Sequence, residues 1–244
     1  MTDIPPETST RKRQIAENIA QVRERIARVA TAAGRKENDI TLCAVTKTRP
    51  VADVLAAVAA GVQDIGENYV QEAREKIPAV RAALSPETPL RCHLIGHLQT
   101  NKVKYVIEFA QVIHSVDSED LLQEIAKRVQ KLYNVATRIS VLIEVNLTGD
   151  PGRAGIVPEE TPDLVARANA IPMIALSGLM GMAPPVAHPD DARPYFARLK
   201  RLFDALPSEN RQILSMGMSG DFEAAITEGA TLIRVGTAIF GQRT

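Results

Sequence analysis

Apolar residues follow two different rhythms along this chain. Between 11 and 33, Ile15, Ile19, Val22, Ile26 and Val29 recur at steps of three and four, the stripe of an amphipathic helix. Ser9 or Thr10 suits its N-cap, and Gly34 lies just past its end. Beyond it the rhythm changes. Short apolar runs fall at 40–47, 63–66, 90–96, 112–116, 138–147, 173–180, 212–216 and 231–236. Helix-like stretches at 52–60, 68–83, 100–109, 118–132, 159–169, 190–206 and 219–228 fill the intervals. Apolar runs rich in β-branched residues suit parallel strands buried on both faces. Eight such runs separated by helices predict an α/β chain, a single (β/α)8 TIM-type barrel with an extra N-terminal helix. An open doubly wound sheet is the competing arrangement, and 63–66 is the weakest strand in the series.

Composition narrows the function. Lys plus Arg and Asp plus Glu each total 29, so the formal charge is zero and no general pull toward nucleic acid or anionic membrane follows. Aromatic residues make up 4% and tryptophan is absent, which weakens a base-stacking role. Two cysteines, Cys43 and Cys92, suit a reducing cytoplasm and read as buried thiols. The longest uncharged stretch, 171–187, is broken by Pro172, Gly178, Gly181, Pro184 and Pro185, so it predicts a strand and loop instead of a membrane span. Residues 1–10 lack an apolar signal core and are expected to be a disordered lead-in; 11–244 form the one expected domain.

In a barrel, chemistry gathers at the carboxyl ends of the strands. The first run ends in Lys47, just before Pro50. Desolvation lowers a lysine pKa and frees the amine for Schiff-base formation; the alternative is a lysine that snorkels to solvent. The second run ends in Gly66, Glu67, Asn68 and Tyr69, the third contains His93, and the fifth ends in Glu144 and Asn146. The seventh and eighth lead into Ser215, Gly217, Met218, Ser219 and Gly220, and into Arg234, Gly236 and Thr237. Glycines and hydroxyls after strands seven and eight suit a phosphate. Taken singly, Ser219 or Asp221 would merely cap a helix. Together, and opposite a strand-end lysine, these loops favour a phosphate-bearing carbonyl ligand. His93 and His97 are four apart, but Leu94–Gly96 reads as a strand end, so no metal site is expected.

The motifs AVTK at 44–47, GENYVQE at 66–72, HLIG at 93–96, QTNK at 99–102, LSMGMS at 214–219 and RVGTAIFG at 234–241 run in order along nearly the whole chain. This set resembles the pyridoxal 5′-phosphate (PLP) homeostasis protein family, whose fold is like the N-terminal barrel of alanine racemase. The resemblance implies a PLP carrier or buffer in intracellular vitamin B6 balance without robust turnover. Lys47 would be the Schiff-base lysine, Ser215, Gly236 and Thr237 would bind the phosphate, and Asn68, His93 and Met218 would be neighbours of the cofactor. Arg234 would face the pyridine nitrogen. Cys92, His97, Gly220 and Arg153 depart from the family's commonest residues, and none is part of the inferred cup.

The resemblance also bears on catalysis. A guanidinium beside the pyridine nitrogen disfavours its protonation and makes the ring a poorer electron sink. In alanine racemase a second base comes from an additional domain of the neighbouring subunit. The sequence here stops at Thr244, so that base is expected to be missing and the protein to be a monomer. The alternative is an amino-acid racemase or related PLP enzyme with Tyr69 or His93 as second base. Expected partners are PLP and apo-PLP enzymes, in the cytoplasm.

Overall fold

The computed structural model of the chain describes residues 6–133 and 137–242, with backbone alone at 6–9. Helix α1 spans Pro6–Ala32. It starts ahead of the expected position at Arg11, so Ser9 and Thr10 lie inside it and do not cap it. Proline at a first helical position explains the early start, because its fixed φ fits and its missing N–H is not needed there. Of the expected lead-in, residues 1–5 lie outside the described residues, and 6–10 are helical.

Eight parallel strands follow: β1 Thr41–Val45, β2 Asp64–Glu67, β3 Arg91–Leu94, β4 Val112–Val116, β5 Ile139–Val145, β6 Ile174–Gly181, β7 Ile213–Ser215 and β8 Leu232–Val235. They pair in sequence order and close on themselves, with Thr41 of β1 opposite Leu232 of β8. Closure excludes the open doubly wound sheet. The connecting helices are α2 Val51–Ala59, α3 Val70–Ala82, α4 Val103–Val106, α5 Glu119–Leu132, α6 Thr161–Asn169, α7 Arg193–Asp204 and α8 Phe222–Thr227, and α9 Thr237–Phe240 follows β8. The expected helix at 100–109 is a 3-10 turn followed by the short α4.

The place of α1 follows from its stripe. Ile15, Ile19, Val22 and Ile26 are buried, and α1 packs against α2, α8 and α9. Packed between α2 and α8 beside the short α9, α1 supplies one wall of the outer ring. Its charged faces also make specific contacts. Arg11 pairs with Asp53 of α2 at 2.6 Å and donates to the Phe240 carbonyl. Arg25 and Arg28 both reach Glu223 of α8. Inside the barrel Val112, Leu142 and Met180 pack together, with Ile213 against them.

Candidate functional site

Lys47 leaves β1 into a turn, and its peptide is held on both sides. The preceding carbonyl, Thr46 O, accepts from Lys76 Nζ at 2.7 Å, and Thr46 Oγ donates to Glu67 Oε1 at 2.6 Å. The following N–H, on Thr48, donates to Glu72 Oε1 at 2.6 Å. Lys76 also bridges Glu67 at 2.8 Å and Glu72 at 2.5 Å. Thr48 has φ of 62°, a conformation a β-branched residue rarely adopts. Such strain persists only where the surroundings over-determine it. Burial raises the Glu67 carboxyl above its usual value, against the opposing pull of Lys76, and its Oε2 has no hydrogen-bond partner among the described residues.

Asn68 follows β2, beside the end of β1. Its Oδ1 is buried and lacks a hydrogen-bond partner among the described residues. The backbone of Asn68 is pressed against Gly96, where a Cβ would meet Asn68 O at 2.3 Å. Only glycine allows that approach. Tyr69 is half exposed at the same rim.

The loops after β7 and β8 meet at Ser219. Its Oγ accepts from the N–H groups of Gly236 at 3.2 Å and Ala238 at 3.3 Å, so two backbone donors converge on one oxygen. Gly236 in turn lies against Val45 of β1. This brings the β8 loop next to the strand that carries Lys47. Thr237 and Met218 are exposed, and the Met218 N–H is taken by Asp221 Oδ1 at 2.6 Å. A cavity of about 420 Å³ beside them is lined by Arg153, Met182, Met218 and Asp221. An adjoining cavity of about 190 Å³ shares Arg153 and Met182 and reaches Glu144 and Asn146. Burial, with Asp117 adding to it, pushes the Glu144 carboxyl up to about 7.

Two expected ligand neighbours, Ser215 and His93, are buried and hydrogen-bonded inside the barrel. Ser215 is fully buried, and its hydroxyl is occupied by Arg234 at 2.6 Å and His114 at 3.0 Å. His93 is 1% exposed, and its ring nitrogens are occupied by Asp64 and His114, each at 2.8 Å. Both are engaged in the interior, beneath the rim. The turn at Gly217, with φ of 90°, is the reason Ser215 and Ser219 part company. Ser215 ends the strand before that turn, and Ser219 lies in the loop after it. Arg234 is buried, with its second nitrogen on Gly181 O at 3.2 Å. Burial pulls it below the usual arginine value, while the charges of Glu144 and Asp221 oppose that.

Sequence reasoning passed over His114, Asp64 and Lys76. His114 interrupts an apolar strand, which by itself signals a buried partner. His97, by contrast, is exposed while His93 points inward, so the two do not converge. Both cysteine thiols are buried and pushed far up by burial, which keeps them protonated and inert.

The sequence profile described as the alanine racemase N-terminal domain matches residues 13–244. The pyridoxal phosphate homeostasis protein of Pseudomonas aeruginosa is 42% identical over 229 residues, covering 94% of this chain and 96% of that protein. The protein of the same name from Aquifex aeolicus is 41% identical over 230 residues, covering 93% and 97%. The solved structure of PipY from Synechococcus elongatus with PLP bound superposes with a TM-score of 0.72 at 32% identity, over 93% of this chain and 100% of that one.

Proposed function

Since the chain belongs to the pyridoxal phosphate homeostasis protein family, we propose that it binds PLP on Lys47 and holds and releases the cofactor instead of turning over a substrate. The observation that carries this reading is the clamped Lys47 peptide next to a loop whose backbone donors converge on a single oxygen. Bound there, the cofactor would supply an aldehyde able to condense with a primary amine and a ring able to withdraw electrons.

The residues fit such a ligand. Lys47 is the nucleophilic amine at the end of β1. Ser219, with the backbone of Gly236 to Ala238, would grip the phosphate in place of the expected Ser215. Asn68 Oδ1 is an acceptor in want of a donor. Arg234, near the carboxyl end of β8, carries a fixed positive charge, and a cation there discourages a second proton on a nearby ring nitrogen. That weakens electron withdrawal and favours keeping the cofactor over using it. The PLP-bound state of PipY and the name shared by the relatives support the same reading. A cytoplasmic setting and transfer to apo-enzymes belong to it.

The test is chemical. The protein is incubated with PLP, reduced with borohydride and digested, and the labelled peptide is sequenced by mass spectrometry. The expected label is on Lys47 and is lost in Lys47→Ala; a label elsewhere, or none, overturns the assignment. A racemase reading draws on Glu144, whose value of about 7 beside a cavity suits a general acid or base. His93, with both nitrogens engaged, does not serve that role. Lys47-dependent turnover of any L-amino acid in a panel would favour the racemase.

A further inference from the structure

A line of buried polar groups crosses the barrel beneath the rim. His93 Nε2 lies 2.8 Å from Asp64 Oδ1, His93 Nδ1 lies 2.8 Å from His114 Nε2, and His114 Nδ1 lies 3.0 Å from Ser215 Oγ. Arg234 donates to the same Oγ at 2.6 Å. The two imidazoles meet edge to face, with centroids 5.0 Å apart at 72°. At the far end Arg91, largely exposed at the amino-terminal mouth, holds Asp64 at 2.7 Å.

The end groups dictate the direction of every bond between them. A guanidinium only donates, and an ionised carboxylate only accepts. Burial works against the Asp64 charge, but hydrogen bonds from His93 and Arg91 outweigh it and hold the group below the usual carboxylate value. Starting from Arg234, Ser215 Oγ accepts the guanidinium N–H and passes its own hydrogen to His114 Nδ1. His114 must then donate through Nε2–H to His93 Nδ1, and His93 through Nε2–H to Asp64. The opposite order would point both Arg234 and His114 donors at Ser215 and leave its hydroxyl hydrogen without an acceptor among the described residues. A donor left unmet in a dry interior is costly, so the first order wins.

We propose that Asp64, His93 and His114 are positioning residues that act through Ser215 to lock the Arg234 guanidinium in one orientation toward the ring of bound PLP. This rests on the preceding reading of the site. The lock has a specific competitor. Glu144 and Asp221 are the carboxylates whose charges act on Arg234, yet it forms an ion pair with neither. Without Ser215 held in place, Arg234 would swing toward those carboxylates and away from the ligand. Both histidines serve as neutral relays carrying their hydrogen on Nε2. Burial, with the Arg234 charge adding to it, pushes His114 well below the usual histidine value, which agrees with a neutral ring.

Two measurements test this on the full chain. The first is ¹⁵N–¹H NMR of the histidine rings at pH 7.5 before PLP is added. Only four histidines are present, and His93→Gln and His114→Gln assign the pair. The Nε2–H neutral pattern is expected for both; an Nδ1–H or doubly protonated ring at His114 overturns the bond order. The second compares PLP-loaded wild type with His114→Leu and with the milder Ser215→Ala. A shifted ligand absorbance band and roughly tenfold faster transfer of PLP to an apo-aminotransferase are expected, with borohydride still fixing the label to Lys47. Wild-type band and transfer rate in either folded variant overturn the positioning role. Absence of any Lys47 label in wild type would instead overturn the cofactor assignment, and the NMR result would stand independently of it.

Discussion

Lys76→Met should loosen the base on which Lys47 stands. The Lys76 side chain is 6% exposed and ties Thr46 O, Glu67 and Glu72 together, while the Glu67 side chain is wholly buried. Methionine keeps the volume but leaves the Glu67 carboxylate without its cation. Breaking a buried pair by removing one partner costs roughly 3–4 kcal/mol. For a chain of this size that is a fall in Tm of roughly 10 °C. The loss has a pH signature with a definite sign. Glu67 already has a raised folded value, so its contribution is fully present below the unfolded value and declines as pH rises through the folded one. Removing Lys76 raises that folded value further, so the Lys76→Met deficit should be largest near pH 8 and shrink toward pH 5. Glu67→Gln keeps a partner for the Thr46 hydroxyl. In the double variant it should recover roughly 2 kcal/mol or more relative to additivity. Urea and thermal unfolding of the four proteins give the cycle. Additive losses within about 0.5 kcal/mol, or a deficit that does not vary with pH, would refute the reasoning.

Three further outcomes follow from single positions. The Glu144 carboxyl rises from 4.5 to about 7, so its stability contribution is present below pH 4.5 and is lost by about pH 7, roughly 3 kcal/mol in all. Tm measured from pH 5 to 8 should therefore be flatter in Glu144→Gln, and parallel curves would contradict the shift. Thr48→Gly relieves a φ of 62° and should stabilise by about 1 kcal/mol in thermal melts; a clear loss would mean that the threonine side chain outweighs the strain. Gly178 has φ of 152° and stands where a Cβ would be 1.9 Å from Ile213 O, so Gly178→Ala must part β6 from β7. A loss above about 4 kcal/mol, read as insolubility or a collapsed Tm, is expected, and a near-native melt would refute that packing.

The architecture was legible because each strand announces itself locally. Even the weakest run, 63–66, is a strand one residue displaced, at Asp64–Glu67. The candidate site was legible only in part. Lys47, Asn68, Arg234 and Gly236 could be placed from strand ends. Ser215 and Ser219 could not be told apart, because the deciding feature is the backbone turn at Gly217. The relay was hidden for a different reason. His114 and Ser215 are 101 positions apart, and only barrel closure joins them. Likewise the two carboxylates of β2 look unsuited to a buried strand until Lys76 of α3 and His93 of β3 arrive as partners. Tertiary partners, not local pattern, decide whether such a charge can be buried.

That short strand braces both the backbone before Lys47 and the side chain of Arg234. Lys47 ends β1 and Arg234 lies on β8, the two strands that close the barrel. Lys47 is steadied through Thr46 by Glu67, and Arg234 through Ser215, His114 and His93 by Asp64. Both anchoring carboxylates therefore come from β2. They are three positions apart, an odd spacing, so alternation along a strand sends them to opposite faces. Glu67 meets Lys76 of the helical layer, and Asp64 meets His93 in the interior. A one-residue slip of β2 would exchange the faces and undo both arrangements at once. Buried charges in such a strand lower stability relative to an apolar one. What they give in return is a backbone held firm on either side of Lys47 and an Arg234 guanidinium engaged by Ser215 and Gly181. A site of that kind suits retention of a reactive aldehyde better than the repeated rearrangements of a turnover cycle.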